Sequence, residues 1–366
     1  MKNKISSIGI AAVAVLWLAI AAFAWFGPAQ EYSVAERRNL DQWPGITLDT
    51  VLDGTFMSDF EDYTLDQFPL RDSFRQVKSL FHYNVMRQLD NNDIYIVDDV
   101  AAKLLYPLDE IRVQANTNVF NNIYKNYLVR GGCRVYAAVV PDKSYYLAEE
   151  NGYLAMDYEA LFAKVQENMP WAKHIDLTDT LDISDYYRTD THWRQEKILP
   201  VAQRIAEAMG MTAPVAEDFT PTAVDAPFYG VYYGHAALPM EPETIYLMQS
   251  EVLSQCRVFD VELGSYTDVY NMEKITSKDL YDIYLSGARA LLRIENPNAK
   301  TSRHLIVFRD SFGSSLIPLL AENYASVTVV DLRYVSSTVL NQYITFAGQD
   351  VLFLYNTQVL NSTPLK

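Results

Sequence analysis

The apolar and polar positions divide the chain into unequal stretches. Residues 8–26 carry no charged side chain and follow Lys2 and Lys4, close to the about 20 apolar residues that a membrane-crossing helix needs. The positive-inside rule places the two lysines in the cytoplasm and everything after the run outside it. Ala22-Phe-Ala24 also has the small-x-small pattern of a signal-peptide cleavage site. Both readings export the chain; the Trp25-Phe26 pair, placed like an interfacial aromatic belt, favours an uncleaved single-pass anchor over residues 1–27. Residues 28–92 form a membrane-proximal lead-in punctuated by Pro28 and Pro44. There Phe56, Phe60, Tyr63 and Phe68, then Phe74, Val77, Leu80, Phe81 and Val85, recur at helical spacing, which predicts two amphipathic helices packed by their apolar faces.

From residue 93 to 366 the pattern changes. Asp93-Ile-Tyr-Ile-Val predicts a strand, Val119, Phe120, Ile123, Tyr124 and Tyr127 a helix, and Arg134-Val-Tyr-Ala-Ala-Val-Val140 a strand buried on both faces. A helix over residues 158–166, a short strand at His174-Ile-Asp-Leu177 and a helix over 198–209, with Pro200 in its first turns, follow. Periodicity weakens over residues 211–300, where five prolines and Tyr229-Gly-Val-Tyr-Tyr-Gly-His235 predict an irregular lid or strand-rich insertion, closed by a helix at 279–293. The remainder alternates strand and helix: residues 304–308, 316–324, 327–331 and 350–355. That alternation predicts an α/β domain with a parallel sheet.

The chemistry concentrates at two places. Leu305-Ile-Val-Phe-Arg-Asp-Ser311-Phe-Gly reads as a strand, a turn and a helix, which presents Ser311 at the carboxyl end of a central strand, beside the first N–H groups of a helix. A serine hydroxyl needs a base. Thr189-Asp-Thr-His-Trp193 supplies one, because Asp190 and His192, two residues apart in a tight loop, can share the imidazole Nδ1–H while Nε2 faces the serine. A histidine in such a loop is ordinarily a hydrogen-bonded structural residue, and the joint occurrence of both motifs is what makes Asp190, His192 and Ser311 the catalytic candidates. His235 is the other candidate base.

The formal net charge of -16 and the lack of a Lys/Arg run argue against a nucleic-acid surface and leave room only for a small, local basic patch. The two cysteines, Cys133 and Cys256, lack the spacing of a zinc or redox motif and leave open either one disulfide or two separate thiols. No metal or cofactor is implied.

Asp190-Thr-His-Trp193 with Asp310-Ser-Phe-Gly313 resembles the DHHW family and its relatives in alginate acetylation. Glu36-Arg-Arg-Asn-Leu-Asp-Gln-Trp-Pro44, Asp66-Gln-Phe-Pro-Leu-Arg-Asp72 and Val140-Pro-Asp-Lys143 extend the likeness. The resemblance implies an SGNH-hydrolase-like three-layer α/β/α domain with circularly permuted motif order, Asp-His before Ser. It also implies an oxyanion hole from the Ser311 N–H and the amide of Asn356, although Asp331-Leu-Arg-Tyr334 lacks the glycine found at the second strand and Arg309 stands where a glycine often does. Lys143, Arg309 and Tyr233 are the candidate substrate contacts. The implied activity is O-acetyl transfer, through an acyl-serine, to an exopolysaccharide or envelope polysaccharide outside a bacterial membrane, with acetyl groups supplied by a membrane-bound O-acyltransferase. A carbohydrate acetylesterase and a non-catalytic polysaccharide-binding scaffold are the alternatives.

Overall fold

The computed structural model describes residues 2–33 and 35–366, with side chains described from residue 8 except 25, 26 and 34. By its internal contacts the chain divides into two units, Met1–Asn91 with Tyr233–Pro239, and Asn92–Tyr232 with Met240–Lys366.

In the first unit, helix α1 runs Lys2–Phe26, α2 Thr55–Asp66 and α3 Arg71–Asn84. Among the described residues no helix is long and apolar enough to cross a membrane. The membrane anchor predicted above therefore has no support in the fold; the Lys2 and Lys4 side chains and the Trp25-Phe26 pair lie outside the described side chains.

The two lead-in helices form where their spacing predicts, but α3 faces the other way. Phe74, Val77 and Phe81 are exposed, while its polar side is engaged: Arg71 and Arg75 pair with Glu36, Arg75 donates to the Gly234 carbonyl at 2.7 Å, and the Ser79 hydroxyl donates to that of Ala236. Burial alone would raise the Asp66 carboxyl, but the two-pronged grip of Arg38, at 2.7 and 2.5 Å, holds it down to about 2.

The second unit is built on an eight-stranded sheet. In chain order its strands are β1 (Arg134–Val140), β2 (Lys173–Ile175), β3 (Arg257–Asp260), β4 (Ser265–Thr267), β5 (Leu291–Glu295), β6 (His304–Arg309), β7 (Ser326–Val330) and β8 (Asp350–Asn356), in the spatial order β4-β3-β5-β7-β6-β8-β1-β2. Parallel ladders join β7, β6, β8, β1 and β2, and antiparallel ones add β5, β3 and β4 at one edge. Side chains alternate through the sheet. Leu305 and Val307 of β6 enter one core, with α4 (Leu199–Ala208) and α5 (Phe312–Ala321) above it. Ile306 and Phe308 enter the other, covered by Val113 and Phe120 of the helix Glu110–Ile123 and by Leu161 of the helix Tyr158–Asn168. The result is an α/β fold whose central sheet is mostly parallel.

The stretch 211–300 is more regular than its prolines suggest. It holds a hairpin, Thr220–Ala223 with Tyr246–Gln249, and three strands of the main sheet. The helix predicted at 279–293 is instead a 3-10 turn, Leu280–Ile283, followed by β5. Leu291, Leu292 and Ile294 are buried while Arg293 is exposed, and so short an apolar group fits a strand as well as a helix.

Candidate active site

The serine elbow is held by its own neighbour. Asp310, fully buried at the end of β6, accepts the Phe312 N–H on Oδ1 at 3.0 Å and the Asn356 N–H on Oδ2 at 2.6 Å. One carboxylate thus fixes the first turn of α5 and ties β6 to β8. Burial pushes the Asp310 carboxyl up, against the nearby charge of Arg333. Ser311 caps α5 with φ -64° and ψ -22° and is partly exposed. Gly313 is required behind it, because a Cβ there would stand 2.8 Å from Cβ of Arg309.

Every residue of Thr189-Asp-Thr-His-Trp193 has a task. Asp190 is fully buried and accepts three N–H groups: the backbone of His192 at 3.0 Å, the His192 ring Nδ1 at 2.5 Å, and the backbone of Val231 at 2.8 Å. With Nδ1–H donated to Asp190, Nε2 is left as the acceptor, and it lies 2.7 Å from Ser311 Oγ. Trp193 donates its indole N–H to Ser315 Oγ at 2.9 Å, and Gln195 donates to the Ser315 carbonyl at 2.7 Å, so the histidine loop is pinned to the serine helix. Thr189 donates to Glu243 Oε2 at 2.8 Å and accepts the Gly230 N–H at 3.0 Å. Thr191 accepts from the Tyr232 hydroxyl at 3.0 Å. Tyr281 stacks on the His192 ring, centroids 3.9 Å apart and planes 9° apart, and its hydroxyl meets Ser315 Oγ at 2.7 Å.

The structure brings together Asp190, His192 and Ser311. It does not bring the remaining predicted residues to the serine in the expected roles. The Asn356 amide nitrogen donates to the carbonyls of Val140 at 3.1 Å and Pro141 at 3.4 Å, and its Oδ1 caps Gln358 at 2.8 Å. Both donors are spent within the fold, which leaves none for an oxyanion. The Ser311 N–H, by contrast, donates to no protein group among the described residues.

Arg309 is wholly buried, donates to the carbonyls of Asp310 and Gly287, and pairs with Asp331 at 3.6 Å; it is a structural cation and not a substrate contact. Tyr233 and His235 fall in the first unit; the adjacent Tyr232, in the second, reaches this loop through Thr191. Cys133 and Cys256 are both free thiols.

Lys143, expected to line the site, is 2% exposed and donates to the carbonyls of Ala101 at 2.5 Å, Tyr187 at 2.7 Å and Arg188 at 3.1 Å. It holds the strand of chain that leads into Asp190. Burial pulls its ammonium down to about 7, against the charges of Asp190 and Glu243. A lysine bound below its unfolded value of about 10.4 is less protonated folded than unfolded between those limits. Its contribution to stability therefore rises with pH from about 7 to about 10, and is a penalty below 7. Chemical-denaturation curves should show this slope in the wild type and its loss in Lys143→Met; an identical pH profile in both would refute the assignment.

Several of these residues carry no signal of their own in the sequence. Gly230 is 41 positions from Thr189, yet a Cβ on it would stand 2.2 Å from the Thr189 carbonyl; a Gly-rich tyrosine segment was the one hint. Tyr281 falls in the segment 279–293 expected to be a helix, and nothing local marks it as a partner of His192.

The comparisons agree with this fold. A family model for the DHHW protein matches residues 160–330, which bears out the resemblance carried by the motifs. No curated protein matches the sequence. Among solved structures, a DHHW family protein from Eubacterium siraeum is similar at TM-score 0.60 and 20% identity, covering 75% of this chain and 93% of that one. Bacillus cereus PatB1, solved with a sulfonyl adduct, is similar at TM-score 0.59 and 18% identity, covering 74% of this chain and 96% of that one. The O-acetyltransferase domain of Pseudomonas putida AlgJ is matched at TM-score 0.47 and 15% identity, covering 74% and 92%, a likeness too loose to carry an argument.

Proposed function

We propose that this chain, matched by the DHHW family model over residues 160–330, is an O-acetyltransferase that moves acetyl groups to hydroxyls of an extracytoplasmic polysaccharide. The observation that carries the proposal is the continuous relay Asp190–His192–Ser311, with contacts of 2.5 and 2.7 Å. His192 Nε2 takes the Ser311 proton as Oγ attacks the acyl carbonyl, and the same imidazolium returns the proton to the leaving group. Asp190 and the stacked ring of Tyr281 hold the imidazolium as it forms. The Ser311 N–H, which has no protein acceptor among the described residues and stands at the start of a helix, would hold the tetrahedral oxyanion. In the second half-reaction a sugar hydroxyl gives its proton to Nε2 and displaces the serine.

An extracytoplasmic domain has no direct access to cytosolic acetyl donors, so the proposal includes a membrane-bound O-acyltransferase that presents the acetyl group. The apolar run at residues 8–26 supports export, as anchor or as signal. A reporter that works only outside the cytoplasm, fused after Lys366, should be active; activity of a cytoplasmic reporter alone would refute export.

Transfer is favoured over hydrolysis by the enclosure of the relay. His192 is 7% exposed, and Tyr281, Phe312 and Tyr187 crowd its loop, which limits water at the acyl-serine. With an acetyl donor and a panel of oligosaccharides, mass spectrometry should show acetylated sugar accumulating faster than free acetate. Efficient stripping of pre-acetylated oligosaccharide with no acceptor ever acetylated would replace this reading by an acetylesterase.

A further inference from the structure

The strand beside the serine elbow ends in a groove that the relay does not use. Past the carboxyl end of β7 the chain turns at Asp331, and against the neighbouring ends of β5 and β3 it leaves a cavity of about 650 Å³, lined in part by Tyr334, Tyr343, Val339, Arg289 and Glu262. β6 and β7 run parallel, with Phe308 opposite Val330. The turn bearing Tyr334 is therefore one strand over from the turn bearing Ser311, at the same end of the sheet. Neighbouring strand ends lie about 5 Å apart, but Val261, Leu291 and Val335 of the groove pack with the core of Ile306 and Phe308, the face of the sheet opposite α5, so a polymer spanning groove and elbow crosses the end of the sheet.

The lining has a particular chemistry. Tyr334 and Tyr343 are 53% and 46% exposed, with Val339 between them in the chain. Tyr334 is not a loose side chain: the Arg333 guanidinium lies 5.4 Å from its ring centroid and is itself locked on Asp331 by contacts of 2.9 and 2.6 Å. A ring held on a fixed cation is ordered before any ligand arrives, which lowers the entropy lost on binding. The edges carry one cation, Arg289, leaning on Asp260 at 3.3 Å, and one exposed acid, Glu262. A polyanion would require an excess of basic groups, and an acyl chain would require a rim without charge. A pyranose fits: its C–H faces are apolar and lie on tyrosine rings, while its hydroxyls at the edge take both donors and acceptors.

We propose that this groove is a subsite for a pyranose of the acceptor polysaccharide, with Tyr334 and Tyr343 as its stacking platforms. The proposal rests on the acyl-transfer reading of Ser311 for its purpose, and its test is independent of turnover. The full chain carrying Ser311→Ala is titrated calorimetrically with the neutral oligosaccharides cellohexaose, chitohexaose and maltohexaose. At least one of these should bind. Tyr334→Ala and Tyr343→Ala in that background should each weaken binding by about tenfold, and Tyr334→Phe should stay within about twofold of the parent, since the ring face remains. Circular dichroism of each variant checks the fold. Binding of none of the three, or alanine variants that bind as the parent does, would overturn the subsite and leave the acyl-serine untouched. Absence of acetyl on Ser311 in the wild type would instead overturn the enzyme reading and leave the binding result standing.

Discussion

Replacing Ser311 by alanine removes essentially all acyl chemistry: release of 4-nitrophenol from its acetate ester should fall by about 10⁴-fold or more, and His192→Ala should fall as far. The two hydroxyl and imidazole groups act as one unit, with Nε2 2.7 Å from Oγ, so the double variant should be scarcely worse than either single one. Asp190→Ala should cost less in rate, because the carboxylate orients and stabilises the imidazolium without touching the ester. It also leaves the Val231 and His192 N–H groups without their acceptor, so its thermal midpoint should drop while that of Ser311→Ala does not. Full activity in the serine variant would refute the assignment; so would additive losses in the double variant.

Gly230→Ala should disable the triad without touching any of its three residues. A methyl group there would collide with the Thr189 carbon and oxygen at 2.2 Å and with the Asp190 nitrogen at 2.3 Å. These are backbone atoms in a buried loop and cannot turn aside. The loop must move, and with it the carboxylate that holds His192. We expect activity to fall on the order of 10²–10³-fold, as when a positioning contact is lost by about an ångström, together with a stability loss of about 2–4 kcal/mol. The measurement is kcat on the nitrophenyl ester beside a urea unfolding curve. Wild-type kcat would show that the close approach of Gly230 to Thr189 plays no part in catalysis.

What was legible in the sequence divides by physical cause. Buried parallel strands are unbroken apolar runs, and residues 134–140 predicted from that pattern are those of β1. The elbow was legible because strand, serine and helix are contiguous, and the histidine loop because its aspartate and imidazole are two residues apart. The failures at the site are long-range. Arg309 looked available to substrate because a sequence cannot show that Asp331, 22 positions on, lies 3.6 Å from its guanidinium. Asn356 was given an oxyanion role by resemblance, whereas its amide is committed to the end of β1. Lys143 was near the right place for a different reason, since three backbone carbonyls across the fold consume its donors. The apolar side of α3 was read as a packed face, whereas the covered side is the one that carries Arg71 and Arg75, whose partners Glu36 and Gly234 are distant in sequence.

The central claim is that Ser311 carries the acyl group. A pulse of acetyl donor, an acid quench and intact-protein mass spectrometry test it most directly. The account predicts a wild-type chain heavier by one acetyl group, mapped by peptide analysis to Ser311, and none on Ser311→Ala. Addition of oligosaccharide before the quench should discharge it. A chain that never gains the acetyl group, or gains it at another residue while Ser311→Ala gains it equally, would contradict the account.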